Sequence, residues 1–389
     1  MLSEPISSPI GILFALFATC GFFFYLEQAT RWKLFQFLPP LVFIYVVPVI
    51  LSNVGIIASK SQVYTEISSL VLPMMLVLLL IQLDVGTAVR VMGRGIGVML
   101  FGTVGVVVGA PLGYVVVREF LPADSWKAFG TLAGSWIGGT GNMAAVSEMI
   151  DASETHFGLA VLADTLIYII WLPILLGSKK FSRQFAKFTG VSDKQSAQLR
   201  TAAESLRSSD RVATSRDYLY LMSIACGVAF FADVMAKQLP QIPPILNEST
   251  WRILLVTSCG ICLSFTRLRM IAGSHELAMA LVYLFVARMG AGAQLTNVAT
   301  HAVPFLIGAF LWIVVHGCFC LIGARLFRVD VHTAAIASAA NIGGAASAPI
   351  IAAYHDERLV PMSILMAIVG YAVGNYAAYL AALLCRWVA

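Results

Sequence analysis

Apolar residues in this chain neither alternate at the two-residue period of a strand nor keep to one stripe of a helix. They run on near residues 10–26, 38–58, 67–83, 96–117, 157–177, 217–236, 251–265, 277–296, 303–327 and 360–385, and most charged residues fall between the runs. A helix rises about 1.5 Å per residue, and roughly 17–25 apolar residues carry it across the hydrocarbon of a bilayer. The pattern therefore predicts an all-α membrane protein with about ten spans, the run at 251–265 being the shortest. The first run follows Glu4 rather than a basic segment and lacks a small-residue cleavage site, so it reads as a span and not as a signal peptide.

Two stretches break the apolar pattern in the same way. Trp136-Ile137-Gly138-Gly139-Thr140-Gly141-Asn142-Met143 puts glycines and polar residues where a membrane helix would carry leucines. About two hundred residues later Ser338-Ala339-Ala340-Asn341-Ile342-Gly343-Gly344-Ala345-Ala346-Ser347-Ala348-Pro349 repeats it, with Gly343 on Gly138 and Gly344 on Gly139. Irregular backbone at membrane depth survives only where protein or a water-filled cavity satisfies its amides and carbonyls, so these stretches are expected to line a site.

Charge adds the orientation. Nine of the 25 Lys and Arg lie in the polar stretch 178–216, against three acids, which marks a cytoplasmic loop under the positive-inside rule. That loop is cytoplasmic only if residues 125–155 enter and leave on one side as a hairpin tipped by Gly138-Gly139 instead of crossing as a broken helix. The same count makes 332–356 a second hairpin, entering from the cytoplasm with Gly343-Gly344 at its tip. The expected organisation is two inverted repeats, 1–177 and 217–389, each with five spans and one hairpin. A basic linker, 178–216, partly helical over 193–208, joins them.

Composition then excludes whole classes. Only 12% of the 389 residues are charged, where soluble domains carry about 25%. The net charge of +5 has no basic-aromatic module behind it and does not suggest nucleic acid. All seven cysteines lie in apolar runs, and Cys259-x-x-Cys262 lacks the second pair or histidine cluster of a metal site. There is no His-Glu-x-x-His, nucleophile elbow or Walker lysine, so neither an enzyme nor an ATP-driven pump is expected, and no cofactor.

Candidate chemistry is sparse. Asp164 lies mid-span, where a carboxylate costs roughly 3 kcal/mol and usually faces a cavity. It reads either as a Na⁺ or H⁺ coupling group, with Thr140 and hairpin carbonyls as co-ligands for Na⁺, or as a carboxyl hydrogen-bonded to a neighbouring helix. Arg288 could pair with a substrate carboxylate, pair with Asp164, or reach the interface from the end of its span. Asp84 and Glu148 read as interfacial caps and His316 as a packed core residue. Ser135, Asn142, Asn341, Ser338 and Ser347 cluster beside the tip glycines Gly138, Gly139, Gly141, Gly343 and Gly344. Half-helix ends there would offer amides to an anionic solute and carbonyls to a cation, while close packing through small residues is the alternative use of the same residues.

These two motifs, with the spans that follow them, resemble the DUF819 family of integral membrane proteins over nearly the whole chain. That family is similar in plan to inverted-repeat carriers such as the sodium–glutamate and sodium–citrate symporters. Their Gly-Gly-x-Gly tips are matched here by Gly138-Gly139-Thr140-Gly141, whereas the second copy reads Gly343-Gly344-Ala345-Ala346. The resemblance implies an elevator-type carrier in which a domain holding both hairpins slides against a dimeric scaffold. The expected function is Na⁺-coupled transport of a small anionic or zwitterionic solute across the plasma membrane; H⁺-coupled antiport or export is the alternative, and a channel a further one.

Overall fold

The computed structural model describes residues 5–32, 34–192, 212–242, 246–293 and 295–389, and three single positions at 195, 197 and 201. The stretch expected to be partly helical, 193–208, otherwise lies outside the described residues. Each predicted apolar run is occupied over most of its length by a helix, the runs at 38–58 and 277–296 extending furthest past theirs: α1 Pro9–Thr30, α2 Pro40–Asn53, α3 Gln62–Ile81, α4 Arg94–Val117, α5 Trp126–Met149, α6 Glu154–Ser178, α7 Ser215–Ala236, α8 Glu248–Ser264, α9 Ser274–Gly292, α10 Leu295–Phe327, α11 Val331–Ile342, α12 Gly344–His355 and α13 Val360–Trp387. Here α5, α11 and α12 belong to the two interrupted stretches and the others to the apolar runs. Seven of the described helices are long and apolar enough to cross a membrane. The shorter α2 and α8 have 14 and 17 residues.

Local chemistry explains several features. In α3 the backbone widens to a π-helical segment over Ile67–Val71. Pro73, two residues on, has no N–H to give the carbonyl of Ser69, so the ordinary ladder fails there. Asp84 caps the short helix Val85–Met92: its carboxylate accepts from Thr87 N at 3.0 Å and Thr87 Oγ1 at 2.9 Å, and Arg269 Nη1 lies 3.0 Å away. Partial burial would raise its pKa, but these hydrogen bonds and the Arg269 charge outweigh it and hold the carboxyl below the usual range. The capping role expected of Asp84 is met; Glu148 instead pairs with Arg252 at 3.5 Å.

Both interrupted stretches fold back on themselves. Within α5, Gly139 has φ 74° and ψ −173°, a conformation open to glycine alone, and the helix breaks there. Its arms then run antiparallel. Lys127 Nζ donates to Asp151 O at 2.6 Å at the base, and a Cβ on Gly134 would stand 2.6 Å from Asn142 O. The second hairpin, α11 and α12, breaks at Gly344 (φ 57°), and its base closes where His332 Nδ1 meets His355 Nδ1 at 2.9 Å.

The hairpins enter from opposite ends. α6 starts beside the base of the first and, 25 residues and about 37 Å later, finishes beside the base of the second. There Leu175 O meets His355 Nε2 at 3.0 Å and Lys179 Nζ donates to Tyr354 O at 2.6 Å. α13 makes the reverse journey. It starts beside the second hairpin and ends with Arg386 over the Trp126 ring, 5.8 Å from its centroid.

Packing sorts the helices into two sets that cut across the halves of the sequence. α4, α6, α10, α13 and both hairpins form one; α1, α2, α3, α7, α8 and α9 form the other, a frame, and the two meet along α3, α8 and α9. At the heart of the hairpin-bearing set α4 and α10 run antiparallel. Gly105, Gly109 and Gly113 line up on α4 every fourth residue and leave room for Phe319, Trp312 and Gly308. Trp312 Nε1 donates to Val106 O at 2.8 Å across this contact, so the helices are hydrogen-bonded as well as close.

Candidate functional site

The two hairpin tips meet. A Cβ placed on Gly344 would lie 3.7 Å from the Cα of Gly139. Each tip is braced by a tyrosine from the helix that follows the other hairpin. Tyr371 of α13 comes within 3.4 Å of the Cβ position at Gly139, and Tyr168 of α6 within 3.1 Å of that at Gly343. Ser347 packs against Gly343. Four helix ends converge here: the carbonyl ends of the two incoming arms and the amide ends of the two returning arms. Such a meeting offers partial positive and partial negative poles within one small volume.

Polar side chains extend the tips outward. Asn142, 2% exposed, donates through Nδ2 to Tyr371 O at 3.0 Å and to Asn375 Oδ1 at 2.8 Å. Asn375 Nδ2 passes the chain on to Thr257 Oγ1 of α8 at 2.7 Å, so a hydrogen-bonded line runs from the first tip into the frame. Asp164 sits on α6 one turn before Tyr168. Its Oδ1 accepts from Trp136 Nε1 at 3.0 Å and Ser135 lies beside it. Trp136 is fully buried, its ring 4.5 Å from that of Trp312, so the donor facing Asp164 is held firmly. Thr140 opens the returning arm and is partly exposed, whereas Gly141 packs against the end of the Leu79 side chain of the frame, which would have to shift for a larger residue.

The expected site residues thus divide. Gly138, Gly139, Gly343 and Gly344 form the junction; Thr140, Asn142, Ser347, Ser135 and Asp164 surround it. Asn341 turns away to meet Thr103 of α4 at 3.0 Å. Ser338 belongs to another cluster. His316 Nδ1 faces Gly102 O at 3.0 Å and must carry the proton, so Nε2 accepts from Ser338 Oγ, also 3.0 Å away, which in turn accepts from Trp171 Nε1. Both ring nitrogens of His316 are therefore satisfied, as a packed core histidine requires.

Arg288 lies apart from the tips. Its Nε donates to Tyr64 O at 2.9 Å and its Nη1 stands 3.4 Å from Glu154 Oε1, near the base of the first hairpin; Asp164 is paired elsewhere. Tyr168, Tyr371 and Thr257 were not nominated from sequence. The tyrosines were legible as polar residues in the span after each hairpin, but nothing in sequence says that each serves the opposite tip. Thr257 carries no signal within its apolar run.

Comparison with known proteins agrees with this architecture at the level of class. The family described as "Protein of unknown function (DUF819)" matches residues 14–387. The chain is 27% identical over 343 residues to "Uncharacterized membrane protein YjcL" of Bacillus subtilis (strain 168), covering 84% of this chain and 85% of the relative.

Proposed function

From the premise that this chain belongs to the DUF819 family of membrane proteins, we propose that it is a secondary active transporter. It carries a small anionic or zwitterionic solute, such as an amino acid, short peptide or carboxylate, coupled to Na⁺. The observation that carries the reading is the junction of Gly139 and Gly344, where hairpins from opposite ends touch beside an intramembrane carboxyl. Broken elements meeting near the midplane are how many carriers build a site reachable from either side.

On this reading residues 1–177 and 217–389 are inverted repeats, and both hairpins are re-entrant. The hairpin-bearing set slides as an elevator against the frame, and two frames associate as a homodimer. The division of the helices into two sets, joined along α3, α8 and α9, supports it. The basic linker 178–216 lies on the cytoplasmic side of the plasma membrane: Lys179, Lys180 and Arg183 stand at the end where the second hairpin enters, and Arg325 reaches Thr189 O there. Thr140 and Asp164 serve the cation; Asn142 and Ser347 serve the solute. Asn341 acts behind them by fixing the second hairpin on α4.

The test is uptake by the purified protein in proteoliposomes, screened over organic acids, amino acids and dipeptides under an inward Na⁺ gradient. Asp164→Asn is expected to lower gradient-driven uptake at least a hundredfold while the protein stays folded; undiminished uptake would overturn the assignment. The neutral donors around Asp164 also suit a carboxyl that takes and releases a proton, which is the basis of an H⁺ antiport reading. Uptake driven by a pH gradient in Na⁺-free medium would select it. A channel fits less well, because the two tips close on each other instead of leaving a continuous pore.

A further inference from the structure

A polar recess lies away from the hairpin tips. Near the base of the first hairpin a cleft of about 450 Å³ opens between the frame and the start of α6. Its walls include Ser52, Lys60, Tyr64 and Arg288 from the frame and Glu154 from the hairpin-bearing set. This volume is in the range of small-molecule sites.

The chemistry within it is lopsided. Arg288 is largely buried, its side chain 14% exposed; its Nε is held by Tyr64 O, its Nη1 lies 2.6 Å from Met289 Sδ as well as beside Glu154, and the residue lines the cleft. Its carboxylate partner is loosely engaged. Glu154 Oε1 stands 3.4 Å from Nη1, where a charge-assisted bond would close to about 2.7–2.9 Å, and 36% of the Glu154 side chain is exposed. Glu154 lies against Gly292, where a Cβ would fall 2.8–3.0 Å from its Cγ, Cδ and Oε1 and would make its side chain shift. Lys60 brings a second cation to the same cleft, where Glu154 is the acid among the described lining residues and Glu148 adds a more distant negative charge toward Arg288.

We propose that this cleft binds a small dicarboxylate, one carboxylate replacing Glu154 on the Arg288 fork and the other reaching Lys60. Planar carboxylate recognition favours arginine held in one orientation, which the Tyr64 carbonyl provides. Because Arg288 belongs to the frame and Glu154 to the hairpin-bearing set, occupancy exchanges a bond between the two sets for a bond to the ligand. The site needs only the cleft and stands whether or not solute binds at the hairpin tips.

Succinate is the probe, followed by calorimetric titration of the purified full-length protein. Glu154→Gln removes the internal competitor and is expected to tighten succinate binding at least threefold. Arg288→Gln should weaken it more than tenfold. Lys60→Gln, on an exposed connection where folding is not at stake, should erase the preference for succinate over acetate. The fold-loss on Arg288→Gln should be the same in the wild-type and Asn142→Ala backgrounds, which separates this site from the junction. Succinate binding that is absent from the wild type and Glu154→Gln alike, or indifferent to Arg288→Gln, would overturn the proposal. So would a folded Glu154→Gln protein that binds no more tightly than the wild type.

Discussion

At the scale of single residues, the junction depends on backbone geometry before it depends on side chains. Gly139 holds φ 74° with ψ −173°, a region that costs an L-residue roughly 1–3 kcal/mol. Gly139→Ala is therefore expected to lower thermal stability by about that amount and uptake by more than tenfold, since a methyl would also press toward Tyr371. Melting and uptake measured on the same preparation check both halves of the expectation; a variant with unaltered uptake would mean that the tip is not the site. The two asparagines teach a related lesson. Asn142 and Asn341 look alike in sequence, each close to a glycine pair, yet one reaches from its tip toward Asn375 and the other turns back to Thr103. Their positions relative to the break differ, Asn142 following its glycines and Asn341 preceding them, and the turn sends the two side chains to different neighbours.

At the scale of elements, the helices were legible because continuous apolar runs have few alternatives in a chain so poor in charge. Glycine pairs inside such runs marked where helices break. What the pattern could not carry was long-range partnership. Arg288 stands out as a charge in an apolar run, but its partner Glu154 is remote in the chain, and only the packing of α9 against α6 brings them together. The hairpins themselves are open to direct examination. His332 and His355 meet at the base of the second one, so with the seven native cysteines, all unpaired, replaced, His332→Cys with His355→Cys should cross-link under mild oxidation. A crossing broken helix would put those positions at opposite faces, and no cross-link would form.

At the scale of the whole molecule, the seam between the two sets is where transport would be felt. Thr257 and Asn375 face each other across it at 2.7 Å, with Ser258 and Tyr376 hydrogen-bonded at the same distance one residue along. Thr257→Cys with Asn375→Cys is expected to form a disulfide that stops uptake, and reduction should restore the rate of the reduced double variant. Continued uptake with the bond intact would argue for a carrier whose hairpins flex while its two sets stay fixed. That one set holds a hairpin from each half is what the family resemblance implies; which spans join them was not legible, since a repeat reports kinship between segments and not which of them share a body.

The touching of Gly139 and Gly344 also has a genetic consequence. Residues 205 apart in the chain occupy one small volume, with Tyr371 and Tyr168 crossing over to brace them. Damage at one tip should accordingly be repaired from the other half of the gene. A selection for revertants of a bulky substitution at Gly139 is expected to return compensating changes at Gly344 or Tyr371 more often than at Gly139's own neighbours in sequence.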